Sequence, residues 1–234
     1  MNDKIIGIIG GMGPEATAFY YMKLIRATAA QRDQEHFRVI IDGNSKIPDR
    51  TKAILYGGES PLAEIGKCIE TLNRAKADLA FIPCFTSHYF MKQIREKADF
   101  FIIDALQELG ESLRESGKEI RRIGILATSG TKKTGLYGKY LEEYELIYPT
   151  EYDQEEKVMA AIYSEDFGIK AGHREGRALE LLTEAAEKLA SQGAEILIAG
   201  CTEIGMVMDR LLLPLPILDP MDCAIEAIVR GKYK

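Results

Sequence analysis

Gly11 and Thr128 lie 117 residues apart, and so do Cys84 and Cys201. Each of the four closely follows a short apolar run, at residues 5–9, 123–127, 78–82 and 196–199. Each also stands in a polar or glycine-rich turn: Gly10-Gly11-Met12-Gly13, Thr128-Ser129-Gly130-Thr131, Pro83-Cys84-Phe85-Thr86-Ser87-His88 and Gly200-Cys201-Thr202-Glu203. An apolar run of that length closed by a polar turn reads as a buried strand. Two halves of one design are expected, each delivering a thiol at the carboxyl end of a strand.

The rest of the chain alternates strands and helices. Residues 4–9 form a β-branched run, and Pro14 with Glu15 suits the first turn of a helix reaching about residue 30. A strand is expected at 38–42, a loop at 44–49, and a helix opened by Ser60-Pro61 with Ile65, Ile69 and Leu72 on one stripe. Strands follow at 78–83 and 100–103, then a helix at 105–116. The second half repeats the order: strand 122–127, helix 136–144, strand 145–148, helical pattern at 153–162 and 174–190, strand 196–199, strand 215–218, and a final helix at 224–229. Such alternation implies an α/β fold of two similar domains with parallel sheets, related by pseudo-twofold symmetry, with the active site between them. The first domain is expected over 1–103 plus 212–234, the second over 104–211.

Composition narrows the function. A net charge of −6 disfavours a broad nucleic-acid surface or an anionic-membrane surface. No apolar stretch approaches bilayer length, and the first apolar run is too short for a signal sequence, so a cytoplasmic protein is expected. The four cysteines (Cys68, Cys84, Cys201 and Cys223) and three histidines show no zinc spacing, and a reducing compartment disfavours a structural disulfide. No metal is expected. Cys68 and Cys223 sit in apolar helical patterns and read as packing.

Ligands of parallel α/β sheets bind beyond the carboxyl ends of the strands, where all four turns fall. A thiol at a helix N-terminus is drawn toward thiolate, and the same N–H groups with the Thr86 and Thr202 hydroxyls can hold a carboxylate. A lone cysteine is more often a small buried hydrophobe; the matched pair turns the balance toward function. A competing pattern also exists. Gly11-Met12-Gly13-Pro14-Glu15-Ala16 fits a dinucleotide turn with Asp42 ending the next strand, although Pro14 removes one donor. The glycines also fit a plain strand-to-helix turn.

Together, Gly10-Gly11-Met12-Gly13-Pro14-Glu15-Ala16-Thr17, Ile47-Pro48-Asp49-Arg50-Thr51, Pro83-Cys84-x-Thr86-Ser87-His88, Ile169-Lys170-x-Gly172 and Gly200-Cys201-Thr202-Glu203 give a resemblance to the aspartate/glutamate racemase superfamily. The aspartate racemase branch is the nearest part of it. The resemblance spans nearly the whole chain. It implies a cofactor-free enzyme, commonly a homodimer, that inverts the α-carbon of a small amino-acid substrate, with aspartate first and glutamate or a broader range next. Cys84 and Cys201 match the two catalytic thiols, one taking the α-proton while the other gives one. By analogy Cys201 serves the L-form and Cys84 the D-form. Arg50 matches a ligand for a side-chain carboxylate, Lys170 a pocket lysine, and Thr128 and Thr131 a carboxylate-binding turn. Met12, Gly13, Thr86 and Thr202 complete the expected substrate contacts. Glu203 is either a partner of Cys201 or a helix N-terminal charge, and His88 is expected to cap or pack. Retention of both thiols argues against a one-cysteine decarboxylase of the same superfamily.

One position departs from the pattern. Where the family usually has Asn after the first catalytic cysteine, this chain has Phe85, which cannot supply the amide hydrogen bonds. Phe85 is expected either to shape an apolar substrate pocket or to turn into the core. The alternatives are a catalytically impaired amino-acid-binding protein and a dinucleotide-dependent oxidoreductase.

Overall fold

The computed structural model describes residues 4–233. Its chain order begins β1 (Ile5–Gly10), α1 (Pro14–Ala27), β2 (Arg38–Gly43), α2 (Arg50–Leu55), α3 (Leu62–Arg74), β3 (Leu79–Phe81), α4 (Met91–Arg95), β4 (Phe101–Ile102) and α5 (Ala105–Glu115). It continues β5 (Arg122–Ala127), α6 (Ser129–Lys133), β6 (Glu145–Ile147), α7 (Glu151–Asp153), α8 (Ala160–Tyr163), α9 (Arg177–Ser191), β7 (Ile196–Gly200), α10 (Thr202–Gly205), β8 (Ile217–Leu218) and α11 (Pro220–Val229).

Two four-stranded sheets result, in the orders β2-β1-β3-β4 and β6-β5-β7-β8. Every pairing is parallel. The same spatial order in both sheets is the repeat expressed as topology. The central strands β1, β5 and β7 are buried along nearly their whole length, as befits strands covered on both faces, whereas edge strand β2 has only exposed and half-buried residues.

A further pair at the same 117-residue step, Gly7 and Gly124, explains how a helix seats on each sheet. A Cβ on Gly7 would stand 2.7 Å from Leu72 of α3, and one on Gly124 2.7 Å from Leu197 and 3.2 Å from Leu189 of α9. The missing side chains let each helix stripe approach its central strand. Around them, α3 supplies Ile65, Cys68, Ile69 and Leu72 to one core, and α9 supplies Leu181, Leu182, Ala185 and Leu189 to another.

The chain divides into a unit running to Glu108 and resuming at Met221, and a second unit of Leu109–Pro220. This corrects the expected boundaries, which returned the chain to the first domain at residue 212. The strand β8 instead hydrogen-bonds beside β7 through Leu197–Ile217 and Ile198–Leu218, so it completes the second sheet. From Met221, the second residue of α11, the chain belongs with the first unit again. There Lys23 of α1 meets Asp222 of α11 at 2.6 Å, and Lys232 meets the buried Glu108 at 2.8 Å.

A helix at 136–144 is not formed. A single 3-10 turn at Tyr137–Lys139 occupies part of that stretch, preceded by Gly135 at φ +61° and followed by turns over residues 140–144 before β6. Conversely, α2, α4, α6 and α10 are too short for apolar periodicity to reveal. Local capping holds two of them: the Asp49 side chain accepts from Lys52 N–H at 2.7 Å, and the Thr128 hydroxyl accepts from Thr131 N–H at 3.4 Å.

Candidate active site

In the first unit the β1 turn is shaped by a backbone approach. Gly11 has φ +92°, and a Cβ there would lie 2.3 Å from the Asn44 backbone. The bare Cα is therefore used by the chain itself, which explains the glycine without a dinucleotide phosphate. Gly11 N–H donates to the Thr17 hydroxyl (2.9 Å), which donates in turn to the Gly13 carbonyl (2.8 Å). Gly11→Ala is expected to cost about 2–4 kcal/mol, combining left-handed strain with a backbone clash. Gly57→Ala, at φ +64° with nothing within 4 Å, should cost only the strain, and chemical denaturation of both variants separates the two contributions.

Arg50 begins α2 and is buried. Its guanidinium donates to the carbonyls of Pro48 (3.1 Å) and Met12 (3.2 Å), which ties the 47–50 segment to the β1 turn. Met12 is buried and Gly13 half-buried. The structure thus brings Met12 and Arg50 together.

Cys84 follows β3 and caps a 3-10 helix at Phe85–Phe90. Its N–H donates to the Ile82 carbonyl at 2.7 Å. Its own carbonyl accepts from Ser87 N–H (3.2 Å) and Ser87 Oγ (2.6 Å), and meets His88 Nδ1 at 3.1 Å. Both Cys84 and Thr86 are buried. Phe85 is buried, and its ring lies 6.2 Å from the His88 ring. Its burial matches that of its neighbours Cys84 and Thr86, so the side chain lies inside the fold beside the thiol. His88, expected to cap or pack, is buried within that 3-10 helix. Burial pushes its imidazole below the usual range, and the opposing pull of Asp104 does not overcome that.

In the second unit, Ala127 of β5 pairs with Gly200 of β7, so Thr128 and Cys201 follow on neighbouring strands. The Thr128 and Thr131 hydroxyls are buried and 3.1 Å apart. Cys201 Sγ donates to Glu203 Oε2 at 2.9 Å, and Thr202 Oγ1 donates to the same oxygen at 3.1 Å. Lys170 Nζ donates to Glu203 Oε1 and lies 5.5 Å from the Tyr163 ring centroid. Lys170 comes from a 3-10 turn at Ile169–Ala171, closed by Gly172 at φ +99°. Four of the expected residues, Lys170, Cys201, Thr202 and Glu203, thus form one hydrogen-bonded cluster.

The electrostatics of that cluster have a definite sense. Burial and the neighbouring Glu203 charge push the Cys201 thiol well above its ordinary value. Burial alone would raise Glu203 too, but the Lys170 ammonium and the thiol hydrogen bond outweigh it and hold the carboxyl below its usual value. The resting pair is a neutral thiol donating into an ionised carboxylate. Sequence reading left Glu203 between two roles; its hydrogen bonds make it a partner of Cys201. The other thiols stand apart: Cys68 lies in the first core with its thiol pushed up to about 12 by burial, and Cys223 is half-buried on α11.

Paired parallel sheets of equal order, each ending a central strand in a cysteine turn, define a two-domain α/β protein of the racemase type. The chain belongs to the Asp/Glu/Hydantoin racemase family, whose model matches residues 9–228. It is 24% identical over 231 residues to the broad specificity amino-acid racemase RacX of Bacillus subtilis, covering 96% of each chain. In fold it is similar to the aspartate racemase of Picrophilus torridus, with a TM-score of 0.84, 24% identity and coverage of 97% and 94% of the two chains. It also matches a glutamate racemase from Francisella tularensis solved with D-glutamate, at TM-score 0.66, 18% identity and coverage of 98% and 80%. Among the described residues, no helix is long and apolar enough to cross a membrane.

Proposed function

We propose that the protein is a cofactor-independent amino-acid racemase in which Cys84 and Cys201 act on opposite faces of one α-carbon. The carrying observation is the equivalence of the two thiols: Cys84 follows β3 and Cys201 follows β7, strands holding the same place in sheets of the same order. Inversion without a cofactor needs a base on one face and an acid on the other, and a thiolate/thiol pair meets both needs. Cys201, protonated at rest, is the acid of the first turnover. Cys84 as thiolate takes the α-hydrogen as a proton, the electron pair remains on the substrate, and Cys201 delivers its proton to the opposite face. The product leaves with Cys84 protonated and Cys201 as thiolate, and the reverse reaction uses the pair in that state.

Buried hydroxyls support a carboxylate contact in each unit: Thr86 in the first, and Thr128, Thr131 and Thr202 in the second. Charge developing on the α-carbon spreads into that carboxylate, so donors fixed in advance stabilise it. Met12 and Gly13 belong to the same proposed site through the contact of Met12 with Arg50. The Arg50 guanidinium, held in place by backbone carbonyls, favours a substrate with a second carboxylate. Aspartate is the leading substrate, in keeping with the fold likeness to an aspartate racemase; glutamate or a broader range, as in the name of the Bacillus subtilis relative, comes next. The reading includes a homodimer working in the cytoplasm, where catalytic thiols stay reduced.

The test is α-hydrogen exchange followed by NMR. The reduced protein in D₂O, without added cofactor, is given each enantiomer of Asp, Glu and a panel of other amino acids. Exchange accompanied by the opposite enantiomer is expected, with Asp fastest. Binding of an amino acid with no exchange at all would sink the racemase reading and leave a binding protein.

A further inference from the structure

The two thiols are served by different neighbours. Cys201 has a carboxylate on its sulfur, whereas the contacts beside Cys84 converge on its backbone. Three donors, Ser87 N–H, Ser87 Oγ–H and His88 Nδ1–H, meet the single Cys84 carbonyl. A carbonyl oxygen facing Nδ1 fixes the tautomer, because only a protonated nitrogen can donate to it. The residue's other backbone group is bound as well, since Cys84 N–H donates to Ile82. With both peptide groups held, the Cα–Cβ direction is set, and with it the reach of Sγ.

The imidazole that does this is itself fixed. Its side chain is fully buried, and Nε2 lies 3.9 Å from Asp104 Oδ1, beyond hydrogen-bond distance. Asp104 caps α5 by accepting from Leu106 N–H at 3.2 Å, and its other oxygen stands 3.5 Å from Arg95 of α4. A buried ring nitrogen with no hydrogen-bond partner costs stability, so packing alone gives no reason for an imidazole here.

We infer that His88 is a positioning residue for Cys84, fixing where the thiol of the first unit meets the substrate's α-carbon through the Cys84 carbonyl. The inference rests on the racemase reading and deepens it. A catalytic group moved by a fraction of an ångström loses much of its rate, and here the loss must fall on one thiol only.

The one-sidedness gives the test. Both enantiomers of whichever amino acid the wild-type protein inverts are followed by NMR in D₂O with His88→Ala, His88→Asn and Ser87→Ala. For His88→Ala inversion is expected to fall roughly 10- to 100-fold. For the enantiomer whose α-hydrogen Cys201 removes, the carbanion still forms but Cys84 reprotonates it slowly, so α-hydrogen exchange should outpace inversion. For the other enantiomer, exchange and inversion should fall together. His88→Asn, whose amide N–H can reach the same carbonyl, should restore much of the rate. Ser87→Ala, which deletes one of the three donors with little change of volume, should give the same asymmetry to a smaller degree and decides the matter if His88→Ala does not fold. A ratio of exchange to inversion that stays the same for the two enantiomers, or rates unchanged from wild type, overturns the inference while leaving the racemase in place. A wild-type protein that neither exchanges nor inverts any amino acid overturns the racemase reading and this inference with it.

Discussion

Cys84→Ala and Cys201→Ala should each lower inversion by about 10³-fold or more, yet each should leave exchange of one enantiomer's α-hydrogen, the opposite enantiomer in the two cases. Alanine removes the only proton carrier on one face, and general acid–base catalysis is worth about 10²–10⁴-fold for a single group. The surviving thiol can still remove the hydrogen on its own side and return a solvent-derived proton to the same side. Retention with exchange on one enantiomer and silence on the other is therefore the signature of two bases acting on opposite faces. Cys68→Ala and Cys223→Ala serve as controls. Cys68 lies within the first core, so its replacement should lower stability while leaving inversion intact, and Cys223 on α11 should do neither strongly. A Cys84→Ala protein that inverts normally, or that exchanges both enantiomers alike, would remove the two-thiol mechanism. Non-additivity is also expected: once either thiol is gone, losing the second should add little to the loss of inversion, because the two act as a unit.

Much of this was legible in the sequence because it repeats. The common step between Gly11 and Thr128, and between Cys84 and Cys201, fixes which strands correspond, and the sheets follow that correspondence with the same order of strands. The chain's return was less legible. Residues 215–218 look equally suited to either sheet, and only the pairing of β8 with β7 decides between them. The single-turn helices α6 and α10 are set by caps and strand ends, so no apolar period marks them. The 136–144 stretch has apolar spacing but contains Gly138 and follows Gly135, and its backbone turns instead of winding. Of the site, the thiols and hydroxyls could be named as residue types at strand ends, and Arg50 through the family resemblance alone. The role of Glu203 could not, because its ammonium partner is 33 residues away in a loop turn. Phe85 was ambiguous too: an aromatic after the thiol reads as pocket or core, and a buried side chain beside Cys84 fits either.

Lys170→Met should expose the electrostatic logic of the second unit through a stability loss that depends on pH. Glu203 is buried, and its ionised form is held by the Lys170 ammonium together with the Cys201 and Thr202 donors. Its carboxyl sits below its ordinary value in the folded protein, so the folded state binds that proton less tightly than the unfolded chain does. The sign follows: this contribution to stability is present above the unfolded value near 4.5 and is lost as pH falls through the lower folded value. Removing the ammonium while keeping the hydrocarbon stem leaves a buried carboxylate short of its cation. Breaking a fully buried pair costs about 3–5 kcal/mol, and partial exposure of the Lys170 side chain lowers that to about 2 kcal/mol at neutral pH. For a chain of this size the thermal midpoint should drop by about 4–8 °C. In acid, where Glu203 is protonated in both proteins, the gap between wild type and variant should close. In the variant the Glu203 carboxyl should move above its ordinary value, so that its charge now destabilises the fold as pH rises. Inversion should fall as well, because a protonated Glu203 no longer offers the carboxylate that orients the Cys201 thiol. Thermal melts of both proteins between pH 4 and pH 8 check the first part, and a difference in midpoint that stays constant across that range would rule out Lys170 as the group that keeps Glu203 ionised.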